Sequence, residues 1–441
     1  MSGTDAATAG AATTTGSAAG PATAESGGPT ADRSPATDAP AADAIADADG
    51  TTDGGATAPG VDGESGAKTY FTGTHRACPP AQTWDRIVPL LPAAGVTRIA
   101  DVTWLDDIGI PVYQAISPAN RYLSVYQGKG LDRISAKVSA AMEAIERWHG
   151  AHPDPRPDHT GSVGETEPEL GYRLDELMLR SRHCLNPATR LAWRAAQRLA
   201  DNGRTLVPLE YLSLDRRVRP RWRPPLFTAT SNGLAGGNTR YEAIVHGLYE
   251  VIERDAVHRN TPAGPAFAVD PATVPAPAAG LIERYRAAGV RVGIGVLDTP
   301  LRVPCFSVAI VSDGFPLPVY GYGCHLDAQV ALCRALTEAA QVRVSVIAGA
   351  RDDLDDRLYA RLRRAMAGGA PPAPSDDRPT VGLDTVESVR VPDHRTEAAL
   401  LADRIVTVTG RSPLVVDHTR AEFGVPVVHV VCPGLTMPSA L

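Results

Sequence analysis

Apolar and polar positions follow two different periods along the chain from Lys68 onwards. Short runs that alternate, or that are apolar throughout, are typical of strands, and apolar positions three and four apart are typical of helices. The runs that predict strands are residues 97–105, 110–116, 121–126, 191–193, 206–212, 290–297, 304–312, 318–323, 414–417 and 425–431. The segments that predict helices are residues 81–91, 139–147, 168–182, 242–254, 280–288, 328–348 and 397–408. This mixture predicts an α/β (α+β) fold with mixed sheets.

Three of the predicted helices carry a stripe of polar side chains among Ala, Ile, Leu and Val. An α-helix turns by about 100° per residue, so the members of each stripe fall within about 80° of each other on one face. The stripes consist of Ser139, Glu143 and Glu146 on the first helix, Glu242, His246, Glu250 and Glu253 on the second, and Arg334, Glu338 and Gln341 on the third. The first two helices both end in Glu-x-x-Glu-Arg, with Arg147 and Arg254 in the last position.

Carboxylates that share a narrow face repel one another, and burial raises their pKa values, so the arrangement becomes favourable when cations lie among them. Mg²⁺ binds oxygen ligands and is often shared between carboxylates and phosphates. A single Glu-x-x-Glu-Arg segment is usually a solvent-exposed face with ion pairs. Two copies, together with Arg-x-x-x-Glu on a third helix, favour a Mg-nucleotide site lined by helices.

Lys129 lies between Gly128 and Gly130, just before the first of these helices. A glycine-rich turn that leads into a helix exposes backbone N–H groups to a phosphate, and an ammonium would add charge. The segment is not a Walker A loop, because position 123 is Leu and no Ser or Thr follows the lysine. Taken alone it reads as an ordinary tight turn, but beside the carboxylate helices it supports a nucleotide site of another architecture.

Charge and composition exclude several classes of protein. The net charge is −7, which excludes a general nucleic-acid binder. The six cysteines lack zinc-ligand spacing, and no apolar run approaches the length of a membrane span. The N-terminus also lacks a secretory signal. These features predict a cytoplasmic protein without a membrane segment.

The first 67 residues differ in composition from the rest of the chain. They consist of Ala, Thr, Gly, Asp and Pro with almost no large apolar residue. Such a segment buries too little surface to offset its ordering entropy. We therefore predict a disordered tail at residues 1–67 and one catalytic domain at residues 68–441.

The polar stripes resemble the ATP-binding motifs of the YcaO family. The first motif is Ser139-x3-Glu143-x2-Glu146-Arg147, the second runs from Glu242 to Arg254, and the third is Arg334-x3-Glu338. In its usual form the second motif has Ser and Gln where this chain has Ala235 and His246. The resemblance covers residues 68–441.

Membership of that family implies an enzyme that uses ATP and Mg²⁺ to phosphorylate the oxygen of a peptide backbone amide. Attack by a neighbouring Cys, Ser or Thr then forms an azoline, whereas attack by a sulfide equivalent forms a thioamide. Azoline-forming members often end in Pro-x-Pro-x-Pro, which this chain lacks. The segments Gly73–Arg76, 127–131 and 425–435 resemble the branch that is associated with TfuA proteins and with thioamides.

The resemblance also assigns roles to residues of this sequence. Mg²⁺ would be held by Glu143, Glu146, Glu250 and Glu253. ATP would in addition contact Lys129, Ser139, Arg147, Glu242, His246, Arg254 and Arg334. The residues expected to act in catalysis are Lys129, Arg334 and Glu338.

Thioamidation of a ribosomally made precursor peptide, with a TfuA-like partner and a sulfide donor, is the function we predict from these motifs. A homodimer is a further option for the assembly. The first alternative is an azoline-forming cyclodehydratase. The second is a non-catalytic YcaO-like subunit that binds a leader peptide or serves as a scaffold, against which the intact glutamates argue.

Overall fold

The computed structural model describes residues 66–215, 217, 224–261, 263–368 and 378–436 of the 441-residue chain. These residues lie within one compact unit, Val61–Leu441. The predicted tail lies outside the described residues except at its end, where Ala67 forms a backbone bridge with Asp393.

The described part of the chain contains three long helices and several shorter ones. In chain order they are α1 (Pro80–Ile87), α2 (Arg133–Ala151), α3 (Val163–Thr166), α4 (Leu209–Leu212), α5 (Arg240–Asn260), α6 (Ala278–Ala287), α7 (Ala328–Ala348), α8 (Asp356–Gly368) and α9 (His394–Thr409). The three long helices are α2, α5 and α7, and they carry the predicted polar stripes. None of the described helices has the length and apolar character that a bilayer crossing requires.

The strands form three sheets. In chain order they are β1 (Arg98–Asp101), β2 (Val112–Ile116), β3 (Val125–Lys129), β4 (His159–Ser162), β5 (Arg190–Arg198), β6 (Arg204–Pro208), β7 (Leu234–Gly236), β8 (Phe267–Val269), β9 (Arg291–Val296), β10 (Cys305–Ser312), β11 (Phe315–Cys324), β12 (Thr380–Val381), β13 (Leu414–Asp417) and β14 (Val427–Val431). The strand orders are β1-β2-β3, β11-β10-β9-β8-β12 and β4-β5-β13-β14-β7, with β6 beside β5. Only β8 and β12 pair in parallel among the described strands.

Each sheet packs against one of the long helices. Helix α2 lies on β2 and β3, α5 lies on β7 and β14, and α7 lies on β10 and β11. The apolar side chains between them are almost fully buried, as with Ile145 on α2, Leu248 on α5 and Leu336 on α7. Burial of such a side chain stabilises the fold by about 1.5–3 kcal/mol. The polar stripes on the same helices therefore keep a fixed position relative to the three sheets.

Most predicted elements are present, and the departures have local causes. The helix predicted at residues 168–182 is wrong: two short 3₁₀ turns stand there, and Gly171 between them has φ +76°, which ends a right-handed helix. The strand predicted at 97–105 stops at Asp101, and Thr103–Leu105 is a 3₁₀ turn. The sequence also missed β4, β7, β8, β12 and α8, of which the strands have only two to four residues.

The prediction of a phosphate-binding turn at Lys129 needs correction. The strand predicted at 121–126 lies instead at Val125–Lys129, so Lys129 is the last residue of β3. The N-terminus of α2 follows four residues later and is capped by Asp132, whose side chain accepts the N–H of Ser135. A carboxylate already occupies this helix end, so the backbone there has no free site of the predicted kind.

The three long helices have a common local plan that the structure makes visible. Each begins at a side-chain cap, formed by Asp132, Thr239 or Asp327. The eleventh residue after each cap is a glutamate: Glu143, Glu250 and Glu338. We call each long helix with its adjacent strand a strand–helix unit: β3 with α2 is the first, β7 with α5 the second and β11 with α7 the third. In the first and third units, the strand residue that precedes a close-packed glycine donates its N–H to this glutamate. These donors are Gln127, 3.2 Å from Glu143, and Tyr322, 3.4 Å from Glu338.

Glycines on β3 and β11 let these strands approach their helices. A Cβ added to Gly128 would lie 1.9 Å from the Ala140 nitrogen and 2.4 Å from the Ala136 oxygen. A Cβ on Gly323 would meet backbone atoms of Ala331 and Ala335 at 2.1 and 2.6 Å. Because the obstructing atoms belong to the backbone, no rotamer change relieves the clash, and only glycine allows the strand–helix distance on which the site depends.

We predict that Gly128→Ala destabilises the protein by at least about 3 kcal/mol, at the upper end of the cost of overpacking, because α2 must shift away from β3. Gly280→Ala provides the control, since a Cβ on this exposed residue of α6 meets nothing within 4 Å. It should stabilise the protein by about 0.5–1 kcal/mol through helix propensity. Urea unfolding of both variants measures the two effects, and equal stability of Gly128→Ala and the wild type would contradict the packing argument.

Candidate functional site

One large cavity, of about 1170 Å³, lies where the polar stripes of α2, α5 and α7 meet the ends of β3 and β11. All twelve residues that the sequence predicted for the site line it. They are Lys129, Ser139, Glu143, Glu146, Arg147, Glu242, His246, Glu250, Glu253, Arg254, Arg334 and Glu338. The cavity thus joins residues that lie as far as 209 positions apart in the chain.

Two of the glutamates, Glu146 and Glu253, are buried without a cationic partner in ion-pair range among the described residues. Glu146 is 6% exposed and Glu253 is 8% exposed. One oxygen of Glu146 accepts the N–H of Gly236 at 2.7 Å. Burial raises the pKa of Glu146 to about 8 despite the nearby charge of Arg147. Burial and then the charge of Glu338 raise the pKa of Glu253 to about 7. Both carboxyls therefore hold protons near neutral pH in the cavity without a bound cation.

The other two predicted metal ligands each lie near an arginine of their own helix. Glu143 is 3.4 Å from Arg147, and Glu250 is 4.0 Å from Arg254. Burial raises the pKa of Glu250 although Arg147 and Arg254 favour its ionised form. Each arginine partly compensates the negative charge of its neighbouring carboxylate. The wall of the cavity therefore carries both positive and negative charges.

Lys129 and Glu338 connect the first unit to the third. The Lys129 ammonium is 2.5 Å from the Glu338 carboxylate, and both side chains are about one-fifth exposed. Burial alone would raise the pKa of Glu338, but the charge and hydrogen bond of Lys129 lower it below its ordinary value. The pair is therefore ionised, and it holds the end of β3 against α7 at the edge of the cavity.

Arg334 and His246 complete the part of the cavity between α5 and α7. Among the described residues no carboxylate lies within ion-pair distance of the Arg334 guanidinium, so this charge is available to an anion. His246 occupies the place of the usual Gln of the second motif. Burial, together with the charges of Arg76 and Arg334, lowers the pKa of His246 well below its ordinary value. The imidazole is therefore neutral at pH 7 and can offer one donor and one acceptor, as an amide would.

Glu242 faces a different set of partners from those of the other glutamates. It accepts the N–H of Ala77 at 2.9 Å and the side-chain amide of Asn238 at 3.1 Å, and it lies 3.6 Å from the Arg76 guanidinium. Glu242 thus fastens the segment before α1 to the wall of the cavity. Sequence analysis did not identify Arg76 or Asn238 as site residues, although the Gly73–Arg76 segment was noted as a motif.

The described residues contain no group of three or more His, Cys, Asp or Glu side chains that could hold a metal by themselves. Mg²⁺ is usually bound by one or two carboxylates and completes its octahedron with water and phosphate oxygens. The carboxylates of Glu146 and Glu253, which lack a cationic partner among the described residues, offer oxygen ligands of this kind, and Arg334 offers a charge for phosphate. The residues present therefore fit a metal ion that arrives with a nucleotide, and do not fit a metal held by protein ligands alone.

Comparisons with known proteins agree with this geometry. A family model described as YcaO cyclodehydratase, ATP- and Mg²⁺-binding, matches residues 127–436. An uncharacterised protein of Mycobacterium tuberculosis (strain CDC 1551 / Oshkosh) is 38% identical over 376 residues, which cover 83% of this chain and 84% of that protein. An uncharacterised protein in the tfuA 3′ region of Rhizobium leguminosarum bv. trifolii is 33% identical over 383 residues, which cover 82% and 88%.

A solved structure has the same fold. YcaO from Methanopyrus kandleri, bound with AMPPCP and Mg²⁺, superposes with a TM-score of 0.65 at 23% sequence identity, covering 84% of this chain and 95% of its own. The predicted fold class is thereby confirmed, and the family description confirms the predicted cofactors, ATP and Mg²⁺. With the matched region spanning most of the chain and containing all twelve predicted residues, the protein belongs to the YcaO family.

Proposed function

We propose that this protein activates backbone amides of a ribosomally made peptide by ATP-dependent O-phosphorylation, and that its product is a thioamide. The observation that carries the proposal is that one cavity is lined by two buried carboxylates without a cationic partner, those of Glu146 and Glu253, and by the guanidinium of Arg334, which has no carboxylate partner among the described residues. Burying these groups costs stability unless a ligand supplies both cation and anion. A magnesium nucleotide supplies both.

Each part of the cavity has its own task in this proposal. The carboxylates of Glu143, Glu146, Glu250 and Glu253 would hold the Mg²⁺ that arrives with the nucleotide. The cations of Lys129, Arg147, Arg254 and Arg334 lie around the phosphates and stabilise negative charge on the group being transferred. Ser139 and the neutral His246 offer hydrogen bonds to the nucleotide. When bound, ATP supplies the phosphoryl group that turns the amide oxygen into a leaving group.

One observation favours sulfur over a side-chain nucleophile. A relative that is 33% identical to this chain over 383 residues lies in a tfuA 3′ region. We therefore propose a TfuA-like protein and a sulfide donor as partners. Azoline formation is the alternative product, favoured by the cyclodehydratase description of the family model.

A scaffold function without catalysis is the alternative from another class. A scaffold does not explain why Glu146 and Glu253 are buried without a cationic partner, where burial raises their pKa values. Such buried carboxylates cost stability and give a scaffold no benefit. Substitution of these positions by apolar residues would stabilise such a scaffold. Their presence favours the enzyme.

The product is tested with a pool of short random peptides incubated with the protein, ATP, Mg²⁺, sodium sulfide and a TfuA-like protein. Thioamidation replaces one oxygen by sulfur, so mass spectrometry should find heavier peptides, and only when ATP is present. Peptides that are lighter by one water would show that the product is an azoline and not a thioamide. No change in mass, with no ATP consumed, would leave the scaffold as the better explanation.

Nucleotide binding should release protons. At pH 7 the Glu146 carboxyl, with its pKa raised to about 8, is mostly protonated, and Glu253, with its pKa raised to about 7, is half protonated. Metal ligands must be ionised, so binding of Mg·AMPPCP displaces these protons, and the release disappears at a pH well above both pKa values. Calorimetry at pH 7 in buffers of different ionisation enthalpy measures the number released. Glu146→Gln should release fewer, and an identical enthalpy in every buffer would contradict the assignment.

Lys129→Ala should lower kcat for peptide-dependent ATP turnover by about 10²–10³-fold, the scale of one removed electrostatic stabiliser, with a smaller change in the KM for ATP. Lys129→Arg retains the charge and should lose less. Lys137→Ala is the matched control, because Lys137 lies nearby on α2 but contacts Trp84, and neither residue lines the cavity. Phosphate release with the peptide pool measures all three variants. Unchanged kinetics in Lys129→Ala would remove Lys129 from the site.

A further inference from the structure

Strand β11 forms one edge of the five-stranded sheet and also forms a wall of the cavity. It pairs with β10 on one side and with no described strand on the other. Its residues from Phe315 to Tyr322 contribute several side chains to the cavity lining. An unpaired strand edge presents a row of N–H and C=O groups that can bind another extended chain.

In an antiparallel pair of strands, hydrogen-bonded and non-hydrogen-bonded residue pairs alternate. This alternation shows which backbone N–H and C=O groups of β11 point away from β10. His325 donates its N–H to Pro304 at 3.2 Å, so this pair is hydrogen-bonded and the next pair, Cys305 with Cys324, is not. Leu297 donates to Cys305 at 2.9 Å on the opposite side of β10, which agrees with the same alternation. The backbone groups of Gly321 and Gly323 therefore point toward β10. Those of the tyrosines on either side of Gly321 point to the free edge.

The two outward tyrosines differ in one respect. The Tyr322 N–H is already bound by Glu338 at 3.4 Å, and Glu338 is in turn bound by Lys129. The Tyr320 N–H has no partner among the described residues, and Tyr320 is 49% exposed. The strand rise places these two positions about 7 Å apart. A free backbone site thus lies one pairing step from the Lys129–Glu338 pair.

We propose that an extended segment of the substrate peptide pairs in antiparallel fashion with the free edge of β11 at Tyr320. The peptide residue opposite Tyr320 exchanges two hydrogen bonds with it. Two residues toward the peptide N-terminus the pairing ends, because the Glu338 carboxylate already binds the N–H of Tyr322 and occupies the place of a strand acceptor. The peptide backbone therefore leaves the strand edge beside the Lys129–Glu338 pair, at the cavity where the amide oxygen must be free to accept a phosphoryl group. The inference rests on the proposed function and specifies how the peptide is held.

This mode of binding defines a substrate class. Backbone pairing reads few side chains, so the segment must be extended and must carry an N–H at the position opposite Tyr320, which excludes proline there. Strand β3 also ends at the cavity, but its edge is less available, because the outward N–H of Gln127 is bound by Glu143.

Tyr320→Pro tests the proposal. Proline at an outward position of an edge strand removes the free N–H and costs no hydrogen bond to β10. Tyr320→Val is the matched control, because it removes the same side chain and keeps the N–H. With the random peptide pool we expect Tyr320→Pro to modify peptides at least about tenfold more slowly than Tyr320→Val, as the loss of one or two hydrogen bonds implies. Both variants should bind Mg·AMPPCP with wild-type affinity.

Each result that differs from these expectations rules out a different part of the proposal. Equal rates for Tyr320→Pro and the wild type, or equal losses in both variants, would overturn the edge proposal while leaving the amide activation intact. If the wild type itself modifies no peptide, the proposed function fails instead. Amide hydrogen exchange of residues 315–324 in the wild type is independent of variant folding. Slower exchange at Tyr320 in the presence of the peptide pool supports edge pairing, and unchanged exchange overturns it.

A peptide recovered as modified from the pool allows a second test on the ligand side. Methylation of its backbone nitrogens, one at a time, should reduce modification at alternate positions only, because alternate N–H groups of a paired strand face the protein. Sensitivity at consecutive positions, or at none, would contradict strand pairing.

Discussion

The burial of like charges is the constraint on which the site depends. Glu146 and Glu253 lie in a protein interior that favours their protonated forms, and the fold offers them few partners. A protein tolerates such groups where a ligand completes them, and its remaining core must supply the stability that they do not. Here that core is the set of apolar contacts between each long helix and its sheet. The same three helices therefore line the cavity with their polar side chains and pack against the sheets with their apolar side chains.

Sequence reasoning found the site because helical periodicity is a local property. Once α2 and α5 form, the positions of Glu143, Glu146, Glu250 and Glu253 on one face follow from the rotation per residue. The ion pair of Lys129 with Glu338 could not be found in this way, since the two residues are 209 positions apart and no period connects them. The helix predicted at residues 168–182 failed for the opposite reason. Its spacing was suitable, but one glycine with positive φ decides the conformation.

The cavity lies at the meeting point of three similar strand–helix units rather than within any one of them. Each unit contributes a glutamate at the same distance from its helix cap, and two of the units bind that glutamate with an outward N–H of the preceding strand. The hydrogen bond from this N–H stabilises the carboxylate at the strand edge. The same N–H is then no longer available to pair with another strand. The repeated plan thus explains why the edges of β3 and β11 are closed close to the charged residues, while the edge of β11 is open at Tyr320.

The fastening of the segment before α1 by Glu242 has a consequence for how the domain is defined. The family model begins at residue 127, yet Thr72, Gly73, Thr74, Arg76 and Cys78 form part of the cavity wall. Glu242, inside the matched region, holds Arg76 and Ala77, which lie outside it. The limits of sequence similarity are therefore narrower than the limits of the binding unit. A protein shortened to the matched residues would lose one side of its own cavity and leave the buried Glu242 without its partners Arg76 and Ala77.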